Sequence, residues 1–165
     1  MTRTSRSILL LLLTPVIFSC SSNASSWTPY LFYENGFHPS NDAPSKALWI
    51  RPGYFPYSGQ DSPHASASAK LPTGTGAVAG ICYLQTSGGK IANQNMITPL
   101  PDEQITMKLI GEGVFVTRTD EKGYFADALD PGDYEFYCRG VKVSGKIRRG
   151  ETTLIPIRGG KRMAD

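Results

Sequence analysis

Apolar and polar residues alternate in short runs from Gly76 to Ile157, separated by Gly, Pro and Asp. In 104–110, for example, Ile105, Met107 and Leu109 share one face, which is the period of two expected for a half-buried strand. The pattern predicts seven strands, at 77–84, 104–110, 114–117, 123–126, 133–138, 141–147 and 152–157. No amphipathic helix interrupts them. We therefore expect an all-β fold, a seven-stranded antiparallel β-sandwich of the Greek-key type.

Residues 20–75 have a different composition, rich in Ser, Pro and Asn, with a nearly low-complexity stretch at 62–69. No helical or strand period runs through them. Such a composition buries too little apolar surface to offset the entropy lost on ordering. The sequence therefore predicts a largely irregular stalk at 20–75, one sandwich domain at 76–160 and a tail at 161–165.

Aromatic residues set this stalk apart from a plain flexible linker. One interpretation is that the rings pack back onto the folded domain, and the other is that they form a contact motif for a partner protein or a glycan. The stretch 51–57 is the piece most expected to be ordered, because Pro52 and Gly53 favour a turn. The candidate partner or ligand contacts are Trp27, Trp49, Tyr54, Phe55 and Tyr57.

The N-terminus has the layout of a targeting segment. Arg3 and Arg6 supply positive charge, and the apolar stretch 8–18 is too short to span a membrane, which takes about 20 residues. The run Ile17-Phe18-Ser19-Cys20 resembles the lipobox of bacterial lipoproteins, although lipoboxes usually carry a small residue at the position of Phe18. The alternative is ordinary signal-peptidase cleavage after Ala24.

The lipobox resemblance implies that residues 1–19 are a signal peptide and that Cys20 is the lipidated N-terminus. The protein would then be held on a membrane by this lipid anchor and work in the cell envelope. In bacteria with two membranes, Ser21 after the cysteine resembles an outer-membrane sorting signal. We therefore expect an outer-membrane location, on the periplasmic or the surface face.

Charge adds little to this picture of function. The chain carries 17 Lys and Arg against 14 Asp and Glu, and loss of Arg3 and Arg6 would leave 15 − 14 = +1. Nucleic-acid binding is therefore not expected. Acids are concentrated in 102–135 and bases in 139–165. This asymmetry indicates either acidic and basic strands paired in one sandwich or a basic edge that faces an anionic partner.

Cys82 and Cys138 remain as an even pair in an oxidising compartment if Cys20 is lipidated or removed. Each has the parity of core residues on its predicted strand, Cys82 with Val78 and Cys138 with Phe136. We expect a disulfide, which would stabilise the domain by roughly 4 kcal/mol in the chain-entropy model. The alternative is two buried free thiols.

Three pieces of the sequence carry a resemblance over residues 76–157. The first is Gly80 within the first strand, followed after an extended loop by the stretch 99–105. The others are 117–125, with Thr119-Asp120-Glu121-Lys122-Gly123-Tyr124-Phe125, and 129–136, with Pro131-Gly132-Asp133-Tyr134. Together they resemble the carboxypeptidase regulatory-like domain, which implies a transthyretin-like (prealbumin-like) sandwich. That family serves as a spacer, scaffold or binding module in many extracellular proteins, so the resemblance says little about function.

The motif residues have structural interpretations of their own. Asp120 can accept backbone N–H bonds in a turn that Gly123 completes, and Phe125 and Tyr134 are candidate core residues. The long loop 85–100 departs from the family pattern, and specificity could lie there.

Motifs for catalysis or cofactor binding are missing from the sequence. The two histidines, His38 and His64, lie in the predicted stalk, and neither His-Glu-x-x-His, Cys-x-x-Cys nor Gly-x-Ser-x-Gly occurs. Turn acids such as Asp120, Asp127 and Asp130 could ligate Ca²⁺, but without EF-hand spacing we interpret them as solvated. We therefore expect no enzyme activity, no metal and no cofactor.

Two functional hypotheses follow. The first is a non-catalytic, membrane-anchored lipoprotein that binds or scaffolds another envelope or surface component. Outer-membrane lipoproteins of type VI secretion systems also use a transthyretin-like sandwich, but usually lack the Thr-Asp-x-x-Gly-x-Phe signature. The second hypothesis is a carrier or sensor of a small ligand or glycan, with Trp27, Trp49 or Tyr54 as stacking platforms.

Overall fold

The computed structural model describes residues 26–33, 36–41, 47–59, 69–86 and 96–162. Cys20, the predicted signal peptide and most of the low-complexity stretch lie outside these residues. The described residues form twelve β-strands and no helix. The strands are β1 Thr28–Tyr33, β2 Gly36–Pro39, β3 Ala47–Ile50, β4 Tyr57–Gly59, β5 Gly76–Thr86, β6 Met96–Pro99, β7 Gln104–Leu109, β8 Val114–Arg118, β9 Tyr124–Leu129, β10 Gly132–Cys138, β11 Val141–Ile147 and β12 Thr152–Arg162.

The strands form three sheets that pack as layers. The front sheet has the order β2-β1-β3-β4, and the back sheet has the order β11-β10-β7-β8. Between them lies the central sheet, in which β5 pairs with β12 along one edge and with β9 and then β6 along the other. The predicted all-β sandwich is confirmed as a fold class, with a third layer added to it.

β5 is buried on both of its faces because it lies in the middle of the central layer. Val78 and Cys82 point into the core shared with the back sheet. Ala79, Ile81 and Tyr83 point into a second core shared with the front sheet. Strands of this kind read as continuous apolar runs rather than as alternating ones.

The main core lies between the central and back sheets. Tyr134 and Phe136 are fully buried there, and Phe125 is also buried. The predicted core positions Phe125 and Tyr134 are thus confirmed. The disulfide between Cys82 and Cys138 is also confirmed and ties β5 to β10 with its Cα atoms 6.7 Å apart.

The prediction of a largely irregular stalk is wrong for the four strands of the front sheet, at 28–33, 36–39, 47–50 and 57–59. Leu48 is buried against the central sheet, where the Phe32 ring lies 4.7 Å from the Tyr83 ring and the Phe37 ring lies 6.4 Å from the Tyr124 ring. The first interpretation of the aromatic residues, that some pack onto the domain, is confirmed for these rings. The Ser and Pro content suggested that the entropy lost on ordering would keep this region irregular. The apolar area that these rings bury offsets that entropy.

The strand count and direction also need correction. All seven predicted strands exist, with most boundaries within one to three residues, but β12 extends to Arg162 instead of ending at 157. β6 was not predicted. β12 runs parallel to β5, with Thr152 opposite Ala77 and Ile157 opposite Cys82, so the sandwich is not purely antiparallel.

Ion pairs join the acidic and basic strands of the back sheet. Lys142 Nζ lies 2.8 Å from Glu135 Oε1 and Lys146 Nζ lies 3.9 Å from Asp133 Oδ1, across the β10–β11 pair. For these residues, the interpretation that acidic and basic strands are paired in one sandwich is confirmed.

Candidate functional site

An open groove of 420 Å³ lies where the front sheet meets the central and back sheets. We call it the junction groove. One wall comes from β3, β4 and the segment before β4, and the other from the end of β8, the following loop and the start of β9. Its lining residues are Leu48, Phe55, Pro56, Tyr57, Ser58, Arg118, Thr119, Asp120, Tyr124, Phe125 and Ala126.

The segment leading to Phe55 and Tyr57 is held by backbone hydrogen bonds at both ends. The N–H of Gly53 donates to the Gly150 carbonyl at 2.8 Å, and the N–H of Phe55 donates to the Ala69 carbonyl at 2.8 Å. Gly53 has φ +77°, a left-handed conformation that glycine adopts without strain. The predicted turn at Pro52 and Gly53 is thereby confirmed, and it presents Phe55 and Tyr57 at the groove.

The opposite wall is a turn organised by Asp120. Its Oδ1 accepts hydrogen bonds from the N–H groups of Lys122 (2.8 Å) and Tyr124 (2.9 Å). The N–H of Gly123 donates to the Asp120 carbonyl at 2.9 Å, and Gly123 has φ +76°. The predicted role of Asp120 and Gly123 is confirmed, and an Asp in such a turn satisfies donors that would otherwise be buried unpaired.

A side-chain hydrogen bond links the two walls of the groove. Ser58 Oγ donates to Asp120 Oδ2 at 2.7 Å and so joins the front sheet to the turn before β9. This bond joins residues 62 positions apart in sequence, so it acts as a structural tie between the two elements.

Two further charged or titratable groups shape the surface of the groove. Arg118 Nη1 lies 2.9 Å from Asp102 Oδ1, with both side chains mostly exposed, and this pair is worth little in stability. Burial, together with the smaller effect of the neighbouring Asp120 carboxylate, raises the pKa of the Tyr124 hydroxyl to about 12. Tyr124 is therefore neutral at any physiological pH and offers the groove a ring and not a charge.

The structure separates the five predicted contact residues into three groups. Trp27 and Tyr54 form an edge-to-face pair with ring centroids 5.8 Å apart, and the Arg51 guanidinium lies 4.2 Å from the Tyr54 ring centre. Phe55 and Tyr57 line the junction groove, where Tyr57 is 41% exposed.

Trp49, the fifth predicted contact, is only 5% exposed. It lies on β3 between Pro29 of β1 and Tyr57 of β4 in the sheet register. Its proposed use as a stacking platform is therefore wrong, because a ligand cannot reach a ring that the fold buries.

Arg118, Ser58 and Tyr124 were missed as groove residues by sequence reasoning. They come from three different strands or turns, and only the packing of the front sheet brings them together. Tyr124 lies inside the Thr-Asp-x-x-Gly-x-Phe motif, but that motif predicts a turn and does not predict that its residues line a groove.

Within the described residues, no group of three or more His, Cys, Asp and Glu side chains is arranged to hold a metal ion. The same described residues include no helix long and apolar enough to cross a membrane.

No protein-family model matches the sequence, and a search of curated proteins finds no match. Among solved structures, the chain is similar to GBS52, the minor pilin of the Gram-positive pathogen Streptococcus agalactiae, at 15% identity and a TM-score of 0.40. It is also similar to the Bacillus anthracis TIE protein, at 15% identity and a TM-score of 0.39. The matches cover 79% and 81% of this chain, but less than two thirds of the other chains, 66% and 30%. Similarity at this level carries no function over.

Proposed function

We propose that the protein is a non-catalytic, lipid-anchored lipoprotein of the cell envelope that binds or scaffolds another envelope or surface component. In this proposal Cys20 carries the lipid, the disulfide-linked sandwich is the scaffold, and the junction groove is the recognition surface. The resemblance to the carboxypeptidase regulatory-like domain belongs to the same proposal, since that family serves as a spacer, scaffold or binding module in extracellular proteins.

The observation that carries this proposal is the placement of Phe55 and Tyr57. Two aromatic side chains that a mobile linker would avoid are fixed at an open groove by backbone bonds to Gly150 and Ala69. Exposed aromatic anchors in fixed positions are what protein and glycan interfaces use, because their rings bury a large area at a small cost in conformational entropy. Arg118 and Asp120 supply charged groups beside them.

The Cys82–Cys138 disulfide supports the proposed location. Structural disulfides persist in oxidising compartments outside the cytoplasm and are rare inside it. An envelope protein that reaches this compartment by way of the 1–19 segment would form the bond there.

Partner capture from the envelope fraction of the source cells tests the proposal. The bait is the full chain, compared with Tyr57→Ala and with Tyr33→Ala as a matched control. Tyr33 is similarly exposed (47% against 41%) but lines a different groove and stacks on His38 at 4.1 Å. The proposal expects one partner to be lost with Tyr57→Ala and retained with Tyr33→Ala. Retention of every partner by both variants would remove the junction groove from the proposal.

The alternative function is binding of a small ligand or glycan, and the Trp27–Tyr54 pair favours it. The edge-to-face rings with Arg51 beside them form a partly exposed aromatic surface of the kind that stacks on sugar rings. A glycan panel distinguishes the two functions, with Trp27→Ala and Tyr54→Ala as the informative variants. Trp49→Ala is not informative, because it would act on the fold.

A further inference from the structure

The described part of the chain begins close to the proposed lipid anchor. Six residue steps separate Cys20 from Ser26 (26 − 20 = 6), and β1 follows at Thr28. A fully extended chain covers at most about 3.6 Å per residue, so Ser26 lies within about 22 Å of Cys20. A lipid on Cys20 would therefore hold this end of β1 within about 22 Å of the bilayer surface.

Three segments of the chain are fixed at this end of β1. The N–H of Gly53 donates to the Gly150 carbonyl at 2.8 Å, and the Gly53 carbonyl accepts a hydrogen bond from the N–H of Leu71 at 3.0 Å. The ring of Tyr54, the next residue, lies 5.8 Å from the ring of Trp27, which directly precedes β1. The turns around Gly53 and Gly150 and the segment around Leu71 therefore share one surface with the start of β1.

This surface combines aromatic rings with basic side chains, and we call it the anchor-side patch. Its residues are Trp27, Arg51, Tyr54, Lys70, Arg148 and Arg149. The Arg51 guanidinium lies 4.2 Å from the Tyr54 ring centre, and Lys70 pairs with Tyr54 in a β-bridge. Arg148 and Arg149 are exposed in the turn between β11 and β12. Tryptophan and tyrosine prefer the membrane–water interface, and lysine and arginine attract anionic headgroups.

Bases outnumber acids at the anchor-side patch. The patch contains four bases, and two acids of the described residues lie beside it. Glu151 Oε2 is 3.7 Å from Arg148 Nη1. Asp130 follows Leu129, which pairs with Gly76 beside the same turn. The local balance is 4 − 2 = +2, and a surplus of positive charge favours an anionic partner.

An open groove of 460 Å³ lies at the same end of the domain. Its lining includes the hydroxyl-bearing residues Ser26, Thr28 and Tyr30, and Pro52 of the turn before Tyr54. Hydroxyl groups donate hydrogen bonds to phosphate oxygens, so the groove can receive the phosphate of a lipid headgroup. Glu151, the acid in this lining, lies 3.7 Å from a basic side chain, which offsets its repulsion of a phosphate.

We propose that the anchor-side patch is a second membrane contact, which binds the headgroups of an anionic phospholipid bilayer and so docks the domain on the membrane that the lipid anchors it to. The inference rests on the lipidated Cys20 of the proposed function and adds the side of the domain that faces the bilayer. None of the patch residues lines the junction groove, so the membrane and a protein partner would use different residues.

Quenching of tryptophan fluorescence by brominated lipid tests the contact. The full chain, processed and lipidated in cells, is inserted into vesicles of phosphatidylglycerol and phosphatidylcholine that carry bromine near the headgroup end of their acyl chains. The two tryptophans provide an internal comparison, since Trp27 lies in the patch and Trp49 is only 5% exposed. The wild type is expected to be quenched, and Trp27→Phe is expected to lose that quenching. An unquenched wild type, or equal quenching of Trp27→Phe, overturns the proposal.

Charge variants test which surface binds the headgroups. Arg148→Gln with Arg149→Gln should lower the ratio of docked to undocked protein roughly 30-fold, because each base near an anionic surface contributes about a factor of five. The matched control is Lys108→Gln with Lys142→Gln, which removes the same charge from the back sheet, where both lysines flank Glu135. The control should stay docked. Equal loss of quenching in the two double variants contradicts the proposal.

Salt separates docking of the patch from anchoring by the lipid. Raising the salt concentration from 0.1 M to 1 M shortens the reach of exposed charges from about 10 Å to about 3 Å. The quenching should then be lost while the protein still floats with the vesicles, and quenching that persists in 1 M salt contradicts the proposal. Mass spectrometry of the same sample shows whether Cys20 carries a lipid. A lipid on Cys20 with an unquenched Trp27 overturns the docking alone, whereas an unmodified Cys20 overturns both the docking and the anchored function.

Discussion

Ser58 and Asp120, 62 residues apart in sequence, are joined by a 2.7 Å hydrogen bond from Ser58 Oγ to Asp120 Oδ2. The same carboxylate caps the turn before β9 through its other oxygen. One side chain therefore holds the local turn and also anchors the front sheet to the rest of the domain.

We predict unequal costs for the two residues of this pair. Asp120→Ala should lower the free energy of unfolding by about 3 kcal/mol, because it leaves the N–H groups of Lys122 and Tyr124 without their acceptor, whereas Ser58→Ala should cost about 1 kcal/mol. The double variant should fall short of the sum by about 1 kcal/mol. Urea denaturation of the four proteins measures these differences. Strict additivity would mean that the bond does not form in solution.

A second prediction concerns the disulfide. Replacing both Cys82 and Cys138 by Ala should lower the free energy of unfolding by about 4 kcal/mol, because the unfolded chain regains the freedom that the cross-link removes. The readout is the midpoint of urea denaturation, and reduction of the wild type by a thiol serves as the control. A loss under 1 kcal/mol in both would show that the two sulfurs are not bonded in the native protein.

Gly80 provides a third prediction, about close approach inside the central sheet. A Cβ at this position would lie 2.1 Å from the Ile155 carbonyl oxygen and 2.4 Å from Phe125 Cζ. Gly80→Ala should therefore cost 3 kcal/mol or more, of order the upper limit for overpacking, since backbone cannot move aside. The matched control is Gly113→Ala, where nothing lies within 4 Å, and the change should stay within about 0.5 kcal/mol. Thermal denaturation would contradict this account if both variants melted alike.

The fourth prediction is a loss of stability at high pH that depends on Tyr124. Its pKa in the folded protein is about 12, against 10.0 in the reference state. Above pH 10 the unfolded chain loses this proton while the native protein keeps it, so stability falls as pH rises. The contribution is fully present below pH 10 and is lost by about pH 12, to a total of about 2–3 kcal/mol.

Tyr124→Phe isolates this contribution from other groups that titrate in the same range. The unfolding free energy of the wild type minus that of the variant should be constant up to about pH 10 and should fall by about 2–3 kcal/mol by pH 12. Urea denaturation at a series of pH values gives this difference. A constant difference up to pH 12 would show that the hydroxyl ionises as readily in the fold as in the unfolded chain.

The fifth prediction concerns the N-terminus of the mature protein. If Cys20 is lipidated, cells given a labelled fatty acid should incorporate the label into the wild type and into Cys138→Ala, but not into Cys20→Ser. Gel fluorography measures the label and mass spectrometry gives the N-terminal residue. An unlabelled protein that begins at Ser25 would establish the alternative cleavage after Ala24.

Much of the sandwich could be predicted from local pattern. The alternation in 104–110 and 133–138 marked one buried face, and the parity of Cys82 and Cys138 with core residues indicated their pairing. The Asp120 turn was also predictable, since its donors lie within four residues of the carboxylate. All of these are relationships between residues close in sequence, or between residues that the twofold period places on one face.

The front sheet and the junction groove were not predictable in the same way. Strands β1 to β4 are short, and their stability comes from packing Leu48 and Phe32 onto the central sheet rather than from local propensity. One signal was available: the unbroken apolar run of β5 is typical of a strand buried on both faces, which requires a layer on each side. The sequence contains no signal for the parallel pairing of β12 with β5. A neighbouring strand presents the same residues to a core whether it runs parallel or antiparallel.

The parallel contact between β5 and β12 has a consequence for the time at which the protein becomes folded. During synthesis, the residues from Ile81 to Arg118 are all added before β12. One edge of β5 nevertheless stays unpaired until Thr152 and the residues after it have been added. Strands that are distant in sequence pair slowly, and an apolar strand whose edge is still unpaired is prone to aggregate with other chains. We expect a chain that stops before Thr152 to be recovered aggregated or degraded, so that only a polypeptide that includes β12 yields a durable product.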